Sequence, residues 1–140
     1  MKAVIFFSAL FFVLMTTTII SQEMEGNIVV VTTHELANAG DRSIPGELDS
    51  LTRVYQEAIT NGNEYVLDHT SLRHFWGNNS ADLVVIYKVK SWEDVPKANE
   101  RMDELFNEKW STKEARDSFN KAYNKYFTGK HSDEIYREVK

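Results

Sequence analysis

Apolar positions recur along the chain with two periods. Residues 27–33 (NIVVVTT) are a β-branched run preceded by Gly26, which predicts a first strand. Residues 37–46 are rich in Gly, Asp, Ser and Pro and read as a loop. Leu48, Leu51, Tyr55, Ala58 and Ile59 then repeat at spacings of three and four, predicting an amphipathic helix over 45–61. Pro45 suits the first turn of that helix and Gly62 its stop. Residues 65–76 read as a second strand, 77–80 (GNNS) as a hairpin loop, and 81–90 (ADLVVIYKVK) as the strongest strand of the chain. Ser91 with Asp94 resembles a capping box ahead of a helix to about residue 109. The buried face of that helix is expected to be Trp92, Val95, Ala98, Met102, Leu105 and Phe106, with Pro96 tolerated early in it. Ser111 and Glu114 repeat the signature before a third helix striped by Ala115, Phe119, Ala122, Tyr123 and Tyr126, with Gly129 as its terminator. Residues 135–139 predict a short final strand.

The order is β-α-β-β-α-α-β. With the extra helix before the last strand set aside, it is the βαββαβ order of the α+β, ferredoxin-like architecture, an antiparallel sheet with helices on one face. Such a sheet should alternate apolar and polar residues, and two strands do not. In the third strand Leu83, Val85, Tyr87 and Val89 form one row, and Val84 and Ile86 begin the other. In the first, Ile28 and Val30 oppose Val29 and Val31. Burying a Val, Leu or Ile side chain is worth about 1.5–3 kcal/mol, so four left in water would cost several kcal/mol in a marginally stable domain. The expected cover for the second face is another copy of the chain, a homodimer closed like a barrel; loops or the extra helix are the alternative cover.

Residues 1–21 change the count of residues available to this fold. Lys2 is followed by an apolar run to Met15 and an exit through small residues to Ser21, the layout of a secretory signal peptide. An uncleaved anchor is the competing reading, weakened by the three threonines and by the absence of basic residues just after Ile20. Removing 21 of 140 residues leaves 119 (22–140), one domain with one core. The expected address is the bacterial periplasm or the medium, with no membrane attachment after cleavage. Without Lys2, 15 basic residues face 21 acidic ones, net −6, which argues against a nucleic-acid partner. The chain has no cysteine, so disulfides, thiolate catalysis and Cys-based zinc sites are excluded.

The strand–helix order, with a Trp-containing hairpin followed by DLVVIYKVKSWEDV, resembles the dimeric α/β-barrel superfamily. The tail KYFTGKHSDEIYREV resembles that of small exported bacterial proteins of unknown function. The resemblance implies a dimeric α/β-barrel fold over most of residues 22–140. The superfamily includes haem-degrading and quinol-forming monooxygenases, dehydratases and isomerases, and fold does not choose among them. Its haem-type members hold iron through a helical His, whereas His34, His69, His74 and His131 all fall outside the expected helices. With no Gly-rich phosphate loop and no GxSxG elbow, no cofactor and no metal are expected.

The candidate chemistry follows from the hairpin. A four-residue loop places Trp76, His74, Leu72, Thr70 and Asp68 on the face of Leu83, Val85 and Tyr87, and puts Arg73 and His69 on the opposite face with Val84 and Ile86. His74 beside Trp76 and Tyr87 then forms an aromatic-walled pocket with one titratable group, which acts as acid/base or orients a ligand. A core histidine bonded to backbone fits the same pattern. Arg73 and His69 together suit a carboxylate, or simply a solvated face. His131-Ser132-Asp133-Glu134 is expected at a loop-to-strand junction, a poor metal site at that spacing and a natural turn former. Three functions remain open. The first is a dimer binding a small apolar or aromatic ligand between sheet and helices, among Trp76, Tyr87, Trp92, Tyr123 and Tyr126. The second is a cofactor-free monooxygenase- or isomerase-like enzyme with His74 or His131 as general base. The third is an interaction module with no small ligand.

Overall fold

A computed structural model describes residues 26–37, 45–74 and 82–139. The segment read as a leader, the hairpin loop and Trp76 lie outside the described residues. The order of elements is β1 (Ile28–Leu36), α1 (Pro45–Thr60), β2 (Val66–Arg73), β3 (Asp82–Val89), α2 (Asp94–Lys109), α3 (Lys113–Asn124) and β4 (Phe127–Arg137). The strands form one antiparallel sheet in the order β2-β3-β1-β4. This is the expected α+β, ferredoxin-like arrangement with its additional helix.

One row of the central strands meets the helices. Ile28 and Val30 of β1 and Tyr87 and Val89 of β3 pack with Val95 and Ala98 of α2. Side chains alternate along a strand, so Val29, Val31, Val84 and Ile86 lie on the other face, and none of them belongs to that cluster. Leu48, Ile59, Leu83, Leu105 and Phe119 are the other buried apolar side chains among the described residues. The turn from α1 into β2 is clipped to α2 by buried Asn63, whose Nδ2 donates to the Ala98 carbonyl at 3.0 Å while its Oδ1 accepts from the Tyr65 N–H at 3.2 Å.

Several local expectations change. Ser91 Oγ does bond the Asp94 carboxylate at 3.0 Å, but α2 starts only at Asp94, and its N-cap, Glu93, makes no side-chain capping bond. Trp92, expected in the core, is 57% exposed, because it sits in the turn before the helical period begins. The cap of α3 is Thr112 rather than Ser111, accepting from the Ala115 N–H at 3.1 Å.

The largest departure is β4. It spans 11 residues rather than five, and α3 ends at Asn124 without help from Gly129. Gly129, at φ +84°, lies within the strand. The register there shifts between His34 and Leu36, which pair with His131 and Phe127; a bulge of this kind favours a residue free to take positive φ. β1 likewise runs three residues past the expected end, because its polar tail Thr33-His34-Glu35 has β4 to pair with. Polar residues in β4 mask the strand signal, since an edge strand is stabilised by its ladder rather than by burial.

Candidate functional site

β1 turns from apolar to polar along its helix-facing row: Ile28 and Val30 are buried, then Thr32 and His34 follow. Beneath these shorter or polar side chains the helices do not close on the sheet, and a cavity of about 790 Å3 remains, within the range of small-molecule sites. Its sheet side is Thr32 and His34 from β1, Val85 and Tyr87 from β3, and Phe127 and His131 from β4. The helices supply Tyr55 and Gln56 from α1, Asn99, Asp103 and Phe106 from α2, and Asn120 and Tyr123 from α3.

One wall is aromatic. Tyr55 has its ring centroid 5.5 Å from that of Tyr123 and 6.0 Å from that of Phe106, and Tyr123 meets Phe127 edge-on at 4.9 Å. These distances fall in the attractive range for ring pairs. Burial pushes the Tyr123 phenol up to about 12, its 3.4 Å contact with Thr52 Oγ1 opposing the shift. Tyr55 is also raised, first by burial and then by the Asp103 carboxylate. Both phenols are therefore neutral donors at neutral pH. Tyr87 donates from its hydroxyl to Asn99 Oδ1 at 2.8 Å, which fixes the orientation of that amide.

A polar row adjoins this wall through Phe127, whose ring centroid lies 5.4 Å from that of His34. His34 and His131 are direct cross-strand partners, with ring centroids 5.8 Å apart. The next pair on the same face is Thr32 and Asp133: the Thr32 hydroxyl donates to Asp133 Oδ1 at 2.7 Å, and His131 Nε2 lies 3.5 Å from Asp133 Oδ2. Burial lowers the pKa of His34, the neighbouring His131 lowers it further, and Asp133 works against both. A neutral imidazole facing a cavity can accept a proton or a hydrogen bond. Among the described residues no group of three or more His, Cys, Asp or Glu has an arrangement able to hold a metal ion.

Of the residues singled out by the sequence, Tyr87 and His131 reach this cavity, with Tyr123 beside them. His74 does not share their face. The pairing Arg73↔Leu83, Ser71↔Val85 and His69↔Tyr87 is offset by one residue from the register of a four-residue loop, and a one-residue offset exchanges the faces of a strand. Arg73 and His69 are therefore on the helix side and His74 on the opposite side, the reverse of the expectation. His74 N–H bonds the Asp82 carbonyl at 3.4 Å, and its Nδ1 is buried without a partner.

His69 and Arg73 line a second groove of about 370 Å3 between α1 and β2, where Arg73 pairs with Asp49 at 3.3 Å and His69 Nε2 lies 3.4 Å from Thr60 Oγ1. Tyr126 is bonded to Glu47 rather than directed into the main cavity. His34, Tyr55, Asn99 and Asp103 were not singled out by sequence. For His34 a signal was present: it continues the alternation of Ile28, Val30 and Thr32.

The fold is shared with solved structures. A nipsnap family protein of unknown function from Agrobacterium tumefaciens superposes with a TM-score of 0.58 at 13% identity, over 83% of this chain and 91% of that one. A dimeric ferredoxin-like protein from an uncultured marine organism gives 0.53 at 13% identity, over 83% and 90%. A cofactor-independent oxygenase from Streptomyces nogalater gives 0.50 at 11% identity, over 83% and 96%. At such identities the likeness is one of fold. No family model matches the sequence, and no curated protein does.

Proposed function

We propose that this chain, built on the ferredoxin-like fold, is an exported homodimer that binds a small aromatic ligand in the cavity between its sheet and its helices. The observation that carries the reading is the cavity itself: about 790 Å3, walled by Tyr55, Phe106 and Tyr123 and ended by His34 and His131. A ligand with an aromatic face displaces water from that apolar wall, which is favourable in proportion to the apolar area covered. Dimerisation is supported by the aliphatic row Val29, Val31, Val84 and Ile86 opposite the helices, and by the described dimeric state of one structural neighbour. Export rests on the pattern of residues 1–21.

The test is to recover the protein from the periplasm of an expressing bacterium, release bound small molecules by denaturation and identify them by mass spectrometry. An aromatic molecule that rebinds the wild-type protein but not Val85→Trp, which fills the cavity floor, supports the reading. Wild-type protein that takes up no aromatic compound overturns it.

A second reading, a cofactor-free oxygenase- or isomerase-like enzyme, is favoured by the row His34–His131–Asp133. There a neutral imidazole serves as general base while a carboxylate orients its neighbour. The oxygenase among the structural neighbours is consistent with it. Turnover of a bound phenol that disappears in His34→Ala and His131→Ala, with binding retained, would place this reading above the first.

A further inference from the structure

The charge of the ligand is written in the lining of the same cavity, so this inference rests on the aromatic-ligand reading above. Among the described residues that line it there is no Lys and no Arg, and the one carboxylate is that of Asp103. Of the basic residues next to the lining in sequence, Lys88, Arg101, Lys125 and Lys130 are ion-paired with carboxylates outside it, and the exposed Lys121 is not among the lining residues. Lys130, after Gly129, pairs with Glu35 at 3.5 Å, and Lys125, after Asn124, pairs with Glu47 at 3.1 Å. Asp133 adds a second negative charge close by, held on the sheet by Thr32 and His131.

The neutral groups of the lining, the phenols of Tyr55 and Tyr123 and the amides of Gln56, Asn99 and Asn120, can donate hydrogen bonds, so what sets the preference is charge. Asn99 Oδ1 is already filled by the Tyr87 hydroxyl. The Asp103 carboxylate makes no ion pair among the described residues, although it stands on a face of α2 that turns Asn99 and Phe106 into the same space. A carboxylate presented to a cavity lined by no Lys or Arg receives hydrogen-bond donors and repels anions, and the effect grows as water is displaced.

We infer that the cavity selects aromatic ligands carrying a hydrogen-bond-donating head, a hydroxyl or an amine, which the Asp103 carboxylate receives, and that it discriminates against aromatic carboxylates of the same shape. The arrangement is specificity by repulsion as much as by attraction.

Calorimetric titration with 2-naphthol, 2-naphthylmethylamine and 2-naphthoate tests it, on the wild-type protein and on Asp103→Asn, with circular dichroism to verify the variant's fold. The expected result is that naphthol and the amine bind while naphthoate binds at least tenfold more weakly. In Asp103→Asn the gap between amine and naphthoate should close by at least threefold. Added sodium chloride should also narrow that gap in the wild-type protein, a measurement independent of the variant's folding. Naphthoate binding as tightly as naphthol, or an amine-to-naphthoate ratio unmoved by both the substitution and salt, overturns the charge preference while leaving the cavity reading intact. Failure of all three compounds to bind overturns the cavity reading and this inference with it.

Discussion

His34 and His131 stand directly opposite one another on β1 and β4, their ring centroids 5.8 Å apart at the polar end of the cavity. Burial, and then the proximity of His131, hold the His34 imidazole below its ordinary 6.5, against the pull of Asp133. In the unfolded chain the same imidazole takes up a proton near 6.5, so the unfolded state binds more protons between the two values. Stability from this group is therefore fully present above pH 6.5 and is lost as pH falls through the folded value. We expect a nuclear magnetic resonance titration to place His34 below 6.5, His131→Ala to move it upward, and Asp133→Asn to move it further down. Urea unfolding at pH 7.5 and pH 5 should show a smaller difference in His34→Gln than in wild type.

Ile86 lies at the centre of the sheet face turned away from the helices, paired with Val31 on one side and Thr70 on the other. A lysine in that position would have to keep its ammonium in water among Val84, Val29 and Val31. If the proposed dimer covers this face, Ile86→Lys converts it to a folded monomer, read by size-exclusion chromatography with light scattering and by circular dichroism. A wild-type protein that is monomeric at micromolar concentration would refute the covering of this face by a second copy.

Leu83 is 1% exposed at the helix-side end of β3. Leu83→Ala should cost about 2–5 kcal/mol, the range for a large-to-small change where the surroundings collapse only partly. Equilibrium denaturation measures it. Because Leu83 also borders the smaller groove with His69 and Arg73, ligand binding in the main cavity should change less than stability.

Gly26 precedes β1 with φ +136°, and a Cβ there would lie 2.2 Å from the Glu138 carbonyl oxygen. The approach is held by the Glu138 N–H donating to the Asn27 carbonyl at 2.9 Å and by Asn27 Nδ2 donating to the Glu138 carboxylate at 2.7 Å. Gly26→Ala must strain or open this junction, at a cost of about 1–3 kcal/mol. A lowered Tm, with faster hydrogen exchange confined to the ends of β1 and β4, is the expected signature.

Element order and type were legible from the chain because they rest on local period. The three–four spacing from Leu48 to Ile59 and the unbroken run from Leu83 to Tyr87 report helix and two-faced strand without reference to anything distant. The apolar rows on both sides of β1 and β3 were legible for the same reason. Tertiary structure alone decided which residues share the site. Whether His74 or His69 sits beside Tyr87 depends on a single residue of register between β2 and β3, and a period of two cannot report its own phase against a neighbouring strand. His131 meets His34 only because a polar edge segment pairs with β1 over a ladder whose partners lie about a hundred positions apart. That contact is stabilised by backbone hydrogen bonds, which leave no mark in the pattern of side chains.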